Sequence, residues 1–160
     1  MVPGLRWFNA MLRSWGPLVS ILLAILAASC GGRPSVTVRV AGESVPMHLA
    51  STLEGTPCST TIGDGPAGPQ DPKIVRATPP VAIRVDTDPG ADVRGWIYDI
   101  DAPTPSRGPL EEFTLLGSGE YRSRSIVAAR TYEVMVHVER SLLGFRNRVT
   151  HVFRMRVQPP

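Results

Sequence analysis

Cysteine is nearly absent from this chain: there are 2, at positions 30 and 58. That excludes the multi-bridge disulfide framework by which very small secreted domains are stapled. Aromatic residues make up only 6%, so the core has to be built mainly from aliphatic side chains. No segment after residue 30 repeats its apolar residues at the 3.6-residue helical period, which argues against amphipathic helices. The longest apolar run, residues 17–29, is about 13 residues, whereas a membrane-spanning helix takes ~20. Extending it backwards would bury Arg13. No G-x-S-x-G nucleophile elbow occurs, since Gly117-Ser118-Gly119 is too short, and no Cys–Cys or His–Glu metal motif is found.

A strong charge of one sign is missing too. The formal net charge is +3, but Arg6 and Arg13 lie in the first apolar-flanked segment. The remaining 15 Lys and Arg face 14 Asp and Glu, about +1 overall. A nearly neutral domain offers no general reason to expect nucleic-acid binding. The charge is unevenly placed. Seven acids stand between Asp86 and Glu112, and eight arginines between Gly117 and the end, which reads as two solvated faces that partly neutralise each other.

What the chain has in abundance is turn residues, 15 Gly and 16 Pro, spread between short Val-rich runs. Ser35–Ala41 alternates strictly, with Val36, Val38 and Val40 on one face. Gly42-Glu43-Ser44 is turn material, and Val45–Ala50 reads as a second strand that Pro46 places at an edge. Gly63–Pro72 is a loop or linker by composition. Further strands are expected at Val81–Asp86, Val93–Ile100, Glu112–Leu116, Glu120–Val127, Thr131–Arg140 and Arg148–Val157. Short alternating strands with turns every ~8–12 residues indicate an all-β, antiparallel β-sandwich of about seven to nine strands.

The first 32 residues carry a resemblance of their own. Arg6 and Arg13 without an acid, then PLVSILLAILAAS, follow the order of a charged start, an apolar stretch and a small-residue cleavage site. Leu26-Ala27-Ala28-Ser29-Cys30 resembles a bacterial lipobox, although the preferred leucine stands one position early. The resemblance implies removal of residues 1–29, lipidation of Cys30, and a short tether over 30–34. Two or more acyl chains, at about 0.8 kcal/mol per buried CH₂, would anchor the product stably. Cys58 then has no partner in the chain. The alternative is an ordinary secreted protein cut at the same small residues, with a free or disulfide-bonded Cys30.

Residues 73–158 resemble bacterial Ig-like or fibronectin-III-like domains. Trp96 stands mid-strand where such folds place a core aromatic, and Tyr132 opens a Val-rich strand where some carry a tyrosine corner. Residues 35–62 are expected to add strands to the same sandwich, because an isolated hairpin is marginal in water.

Candidate chemistry is sparse. Gly63-Asp64-Gly65-Pro66-Ala67-Gly68 matches G-x-G-x-x-G, but the prolines remove donors and no helix follows, so a nucleotide is not expected. Asp86, Asp88 and Asp92 cluster around a Pro-Gly turn and are weak candidates for calcium, in an order unlike an EF-hand. Asp99 with Asp101, and Glu111 with Glu112, are paired carboxylates that a solvated rim explains equally. Met47-His48, Met135-x-His137 and His151-x₃-Met155 would suit copper. In the last two, facing residue numbers that sum to 287 place His137 outward opposite Thr150 and His151 inward. That separates the histidines and makes His151 a core or boundary residue with a hydrogen-bond partner.

These observations lead to a lipid-anchored binding or assembly module of the cell envelope, without catalytic activity or cofactor. Its partners would be the membrane, through the N-terminal lipid, and an envelope protein or glycan. The alternative is an envelope lipoprotein that handles calcium or copper. Leu142-Leu143-Gly144-Phe145, bracketed by Arg140, Arg146 and Arg148, is a candidate interaction loop at the hairpin tip. Its apolar residues could equally cap the core.

Overall fold

The computed structural model describes residues 33–55, 60–64, 71–102, 108–142 and 145–160. The expected export segment, Cys30 and Cys58 lie outside the described residues. Among the described residues there are eleven strands: β1 (Val36–Val40), β2 (Glu43–Ser44), β3 (His48–Gly55), β4 (Thr60–Asp64), β5 (Lys73–Arg76), β6 (Val81–Thr87), β7 (Ala91–Asp99), β8 (Glu111–Leu116), β9 (Gly119–Ser123), β10 (Thr131–Leu142) and β11 (Phe145–Gln158). The chain is an all-β sandwich. One sheet has the order β2-β1-β6-β9. The larger has the order β4-β3-β11-β10-β7-β8, with β5 also paired to β11. The β5–β11 ladder is parallel, the single departure from antiparallel pairing among the described ladders.

The β10–β11 hairpin carries the expected register: Val138 pairs Val149, Glu139 pairs Arg148, Glu133 pairs Arg154 and His137 pairs Thr150. This parity turns Val134, Val136, Val138 and Val149 inward, because a one-residue slip would expose the whole apolar set. Val134, Val136, Val138, Val149 and Phe153 are all buried. From β6 onward, β6 and β9 share one sheet while β8, β7, β10 and β11 share the other. Tyr132 is fully buried, and its hydroxyl accepts from Val127 N–H (2.9 Å) and donates to Val127 C=O (3.4 Å). This is a tyrosine corner reaching five residues upstream. The N-terminal strands are split between the sheets: β1 pairs β6, while β3 pairs β11.

Several boundaries differ from expectation. The first turn is Ala41-Gly42, with φ of 51° and 85°, the two left-handed residues of a primed hairpin turn. Glu43 and Ser44 therefore belong to a strand, and the expected strand at 45–50 is displaced to His48–Gly55. There it lies inside the sheet rather than at its edge. Gly63 and Asp64 close β4 instead of opening a loop, and β9 stops at Ser123 because the chain then turns into the Tyr132 corner. Short strands β2, β4 and β5 raise the total above the seven to nine expected. Their few residues carry too little alternation to be read from sequence.

Trp96 is the main correction to the expected core. Along β7 the inward residues are Ala91, Val93, Gly95 and Ile97, so Asp92, Arg94, Trp96 and Tyr98 face outward. Glycine thus occupies the inward slot beside the tryptophan. The Phe113 ring of β8 fills it: a Cβ on Gly95 would lie 2.0 Å from Phe113 Cζ. Phe113 in turn stacks on Tyr121 at 4.6 Å. The core aromatic is therefore contributed by the neighbouring strand, across a glycine.

Candidate binding groove

Because side chains alternate across a sheet, every outward residue of β7, β10 and β11 joins one solvent-facing surface. Ladder pairing assembles it in rows: Asp92 beside Glu139 beside Arg148, then Arg94 beside His137 beside Thr150, then Trp96 beside Met135 beside Val152. Asp92, Arg94, Trp96, His137, Glu139, Arg146 and Arg148 line a concavity of ≈ 520 Å³ there. Trp96 forms one wall, meeting the His137 ring edge-to-face at 6.1 Å and 78°. This geometry favours an aromatic pair through its quadrupoles.

The charges in the groove are organised by Glu139. Arg148 grips one carboxylate oxygen with both Nε (3.2 Å) and a terminal nitrogen (2.7 Å). Arg146 approaches the other oxygen at 3.7 Å. The Arg148 hydrogen bond is the main cause holding the Glu139 carboxyl below its usual range, against the opposing effect of burial. His137 Nδ1 lies 3.1 Å from Thr150 Oγ1 and Nε2 lies 3.9 Å from Glu139. Burial, then the nearby Arg148 charge, lowers the His137 pKa, so the ring is neutral near pH 7. The groove therefore offers an aromatic wall, a neutral imidazole and a clamped carboxylate–guanidinium pair, with Asp92 and Arg94 exposed at its margin.

The residues singled out from sequence are distributed differently. Asp88 is bonded by the Ser35 hydroxyl and by Ser35 N–H (3.0 Å), which lower its pKa. Asp86 pairs with Arg84 at 3.0 Å, and Asp92 faces the groove. The three aspartates of the weak calcium candidate thus point to three different partners or surfaces. Among the described residues no three His, Cys, Asp or Glu side chains come together as a metal site. His48 sits opposite Val152, on the far side of β11 from the groove histidine. His151 faces inward opposite Val136, as the register requires, but its buried Nδ1 has no hydrogen-bond partner among the described residues. The expected partner is missing because its sheet neighbours, Val136 and Leu49, are aliphatic.

Paired carboxylates serve the corners. Asp99 is paired with Arg130 and receives Asp101 N–H (3.0 Å), while Asp101 accepts Thr131 N–H (2.7 Å). Burial raises Glu111, but hydrogen bonds from Ser123, Tyr121 and the Arg124 and Ser125 backbone outweigh it and leave the carboxyl low. Burial and Glu111 push the Tyr121 hydroxyl up to about 12. Glu112 projects outward beside Trp96. The acidic and basic halves of the sequence do meet across the fold, as Asp88–Arg140 (3.7 Å) and Asp99–Arg130.

At the hairpin tip Leu142 pairs with Phe145 as the last strand residues; Leu143 and Gly144 lie outside the described residues. Arg146 and Arg148, expected as a basic rim around an apolar tip, line the groove. Sequence reasoning missed the groove because it treated Trp96 as core. The signal was available: Trp96 shares strand parity with Asp92 and Arg94, not with Val93 and Ile97. Comparison of the chain with models of known families, with curated proteins and with solved structures finds no match.

Proposed function

We propose that the mature chain, from Cys30 onward, is a lipid-anchored binding module of the cell envelope, outside the cytoplasmic membrane or at the outer membrane. It acts without catalysis, and its ligand site is the Trp96–His137 groove. The groove carries the reading: its ≈ 520 Å³ falls within the ~300–1,000 Å³ of small-ligand sites. It combines one aromatic wall with a few fixed polar groups. An envelope glycan fits this chemistry. A pyranose ring offers an apolar face to Trp96, and its hydroxyls suit the planar Arg148–Glu139 pair, which both donates and accepts. The glycan was one of two partner classes expected; the groove's polarity favours it over an apolar protein patch.

The test uses a convenience of the sequence. Trp7 and Trp15 precede Cys30, so Trp96 is the sole tryptophan of the mature chain. Titrating soluble cell-wall glycan fragments into the mature protein should change its tryptophan emission saturably. Arg148→Ala should weaken the response at least tenfold while the fold persists. Absence of any saturable response across neutral and acidic fragments would overturn the glycan reading.

A further inference from the structure

We infer that the hairpin end of the sandwich is its membrane-facing end, held against the lipid headgroup layer by a tether too short to let the domain turn over. The inference rests on Cys30 being the lipid anchor. Ser35 is fixed to the body of the domain at three points. Its N–H and hydroxyl bond Asp88, and its carbonyl accepts from Thr87 Oγ1 at 2.8 Å. Pro34 is buried, so at most four residues, Cys30 to Arg33, separate the anchor from the body of the domain. Four residues span at most about 14 Å when fully extended. The acyl chains of Cys30 must enter the bilayer, so Pro34 lies within that distance of the headgroups.

The topology gathers one set of turns around this point. Asp88 also pairs with Arg140 near the end of β10. Ser118, in the β8–β9 turn, donates to Thr87 C=O (3.0 Å) and accepts Thr87 N–H (2.8 Å). The β7–β10 ladder stops at Arg140–Ala91, yet β10 continues to Leu142, overhanging the rest of the end by two residues, about 7 Å. Arg146 stands at the base of that overhang and is exposed. The opposite end, with Ser123, Arg124 and Thr131, is a full strand away: the seven residues of β6 span about 23 Å. A tether of about 14 Å is shorter than that span, so the domain cannot stand upright on its far end with Cys30 still in the bilayer. The occupant of the hairpin end is therefore the headgroup layer itself, with arginine facing lipid phosphate.

Acylated protein bearing Cys58→Ser is reconstituted into phosphatidylglycerol-containing vesicles with a headgroup-attached quencher. A fluorophore is placed either at Leu116→Cys, an 88% exposed position at the hairpin end, or at exposed Arg124→Cys at the far end. Mass spectrometry of the N-terminal fragment first establishes whether Cys30 is acylated; an unmodified Cys30 removes the anchor and the inference with it. With acylation present, quenching at 116 should exceed quenching at 124 several-fold. Inserting ten Gly/Ser residues after Arg33 should bring the two together. Equal quenching with the native tether, or stronger quenching at 124, would overturn the orientation while leaving the anchor intact.

Discussion

The two faces of the β10–β11 hairpin come from the same residues in strict alternation, yet they are built on opposite principles. The inner face, built on Val134, Val136, Val138, Val149 and Phe153, is apolar and excluded from water except at His151. The outer face, His137, Glu139, Arg146, Arg148 and Thr150, is polar and cross-linked by side-chain hydrogen bonds around a groove. Hydrophobic burial scales with area and is insensitive to direction, whereas the groove contacts are directional and partly screened by solvent. Changes on the inner face should therefore register as stability, and changes on the outer face as binding.

The sharpest way to break that contrast begins inside. Phe153→Ala removes a fully buried ring and should cost about 3–5 kcal/mol, read as a lower urea midpoint. Gly95→Ala should cost about 1–3 kcal/mol through overpacking, since the new Cβ collides with Phe113 at 2.0 Å. Pairing it with Phe113→Leu should recover part of the loss. If Gly95→Ala were neutral, the ring would not occupy the slot assigned to it.

Acid offers a test that spans both faces. Burial lowers the pKa of His151 and of His137. Both rings are then neutral in the folded chain at pH values where the unfolded chain, with imidazoles near ~6.5, already takes up protons. The unfolded state binds more protons, so stability falls as pH drops below about 6.5 towards the depressed folded values. Melting temperature should decline between pH 7 and pH 5, and His151→Leu should flatten part of that decline. A separate loss at lower pH belongs to Asp88 and Glu139, whose lowered pKa values start from 3.8 and 4.5. A His151→Leu profile parallel to wild type would show that the inward imidazole titrates freely.

Smallest should be the stability effect on the outer face. Arg146 is 68% exposed and 3.7 Å from Glu139, so Arg146→Gln should change stability by about 0–0.5 kcal/mol. A large drop in melting temperature would mean that the groove network holds the sandwich together.

The strands legible in advance were the long, strictly alternating ones. The β10–β11 register followed from parity and from matching Glu133 with Arg154 and Glu139 with Arg148, because a slip would have exposed five buried residues. Short or irregular strands were not legible. β3 contains a register shift opposite Thr150 and His151, and a bulge of that kind leaves almost no trace in residue pattern.

The class of fold and its central hairpin were written in the pattern of residues, since period-two alternation admits one inward face per strand and valine marks that face. The corner at Tyr132 was an implication of the resemblance to Ig-like domains, and the Val127 hydrogen bonds realise it. The tertiary structure alone decided which aromatic enters the core. Trp96 faces outward, and the inward space over Gly95 is filled by Phe113 because β8 lies beside β7, a non-local fact. The same holds for the groove, whose residues come from three strands separated by up to about a third of the chain. Only the sheet, by laying β7, β10 and β11 side by side at fixed register, brings Trp96, His137 and Arg148 to one surface.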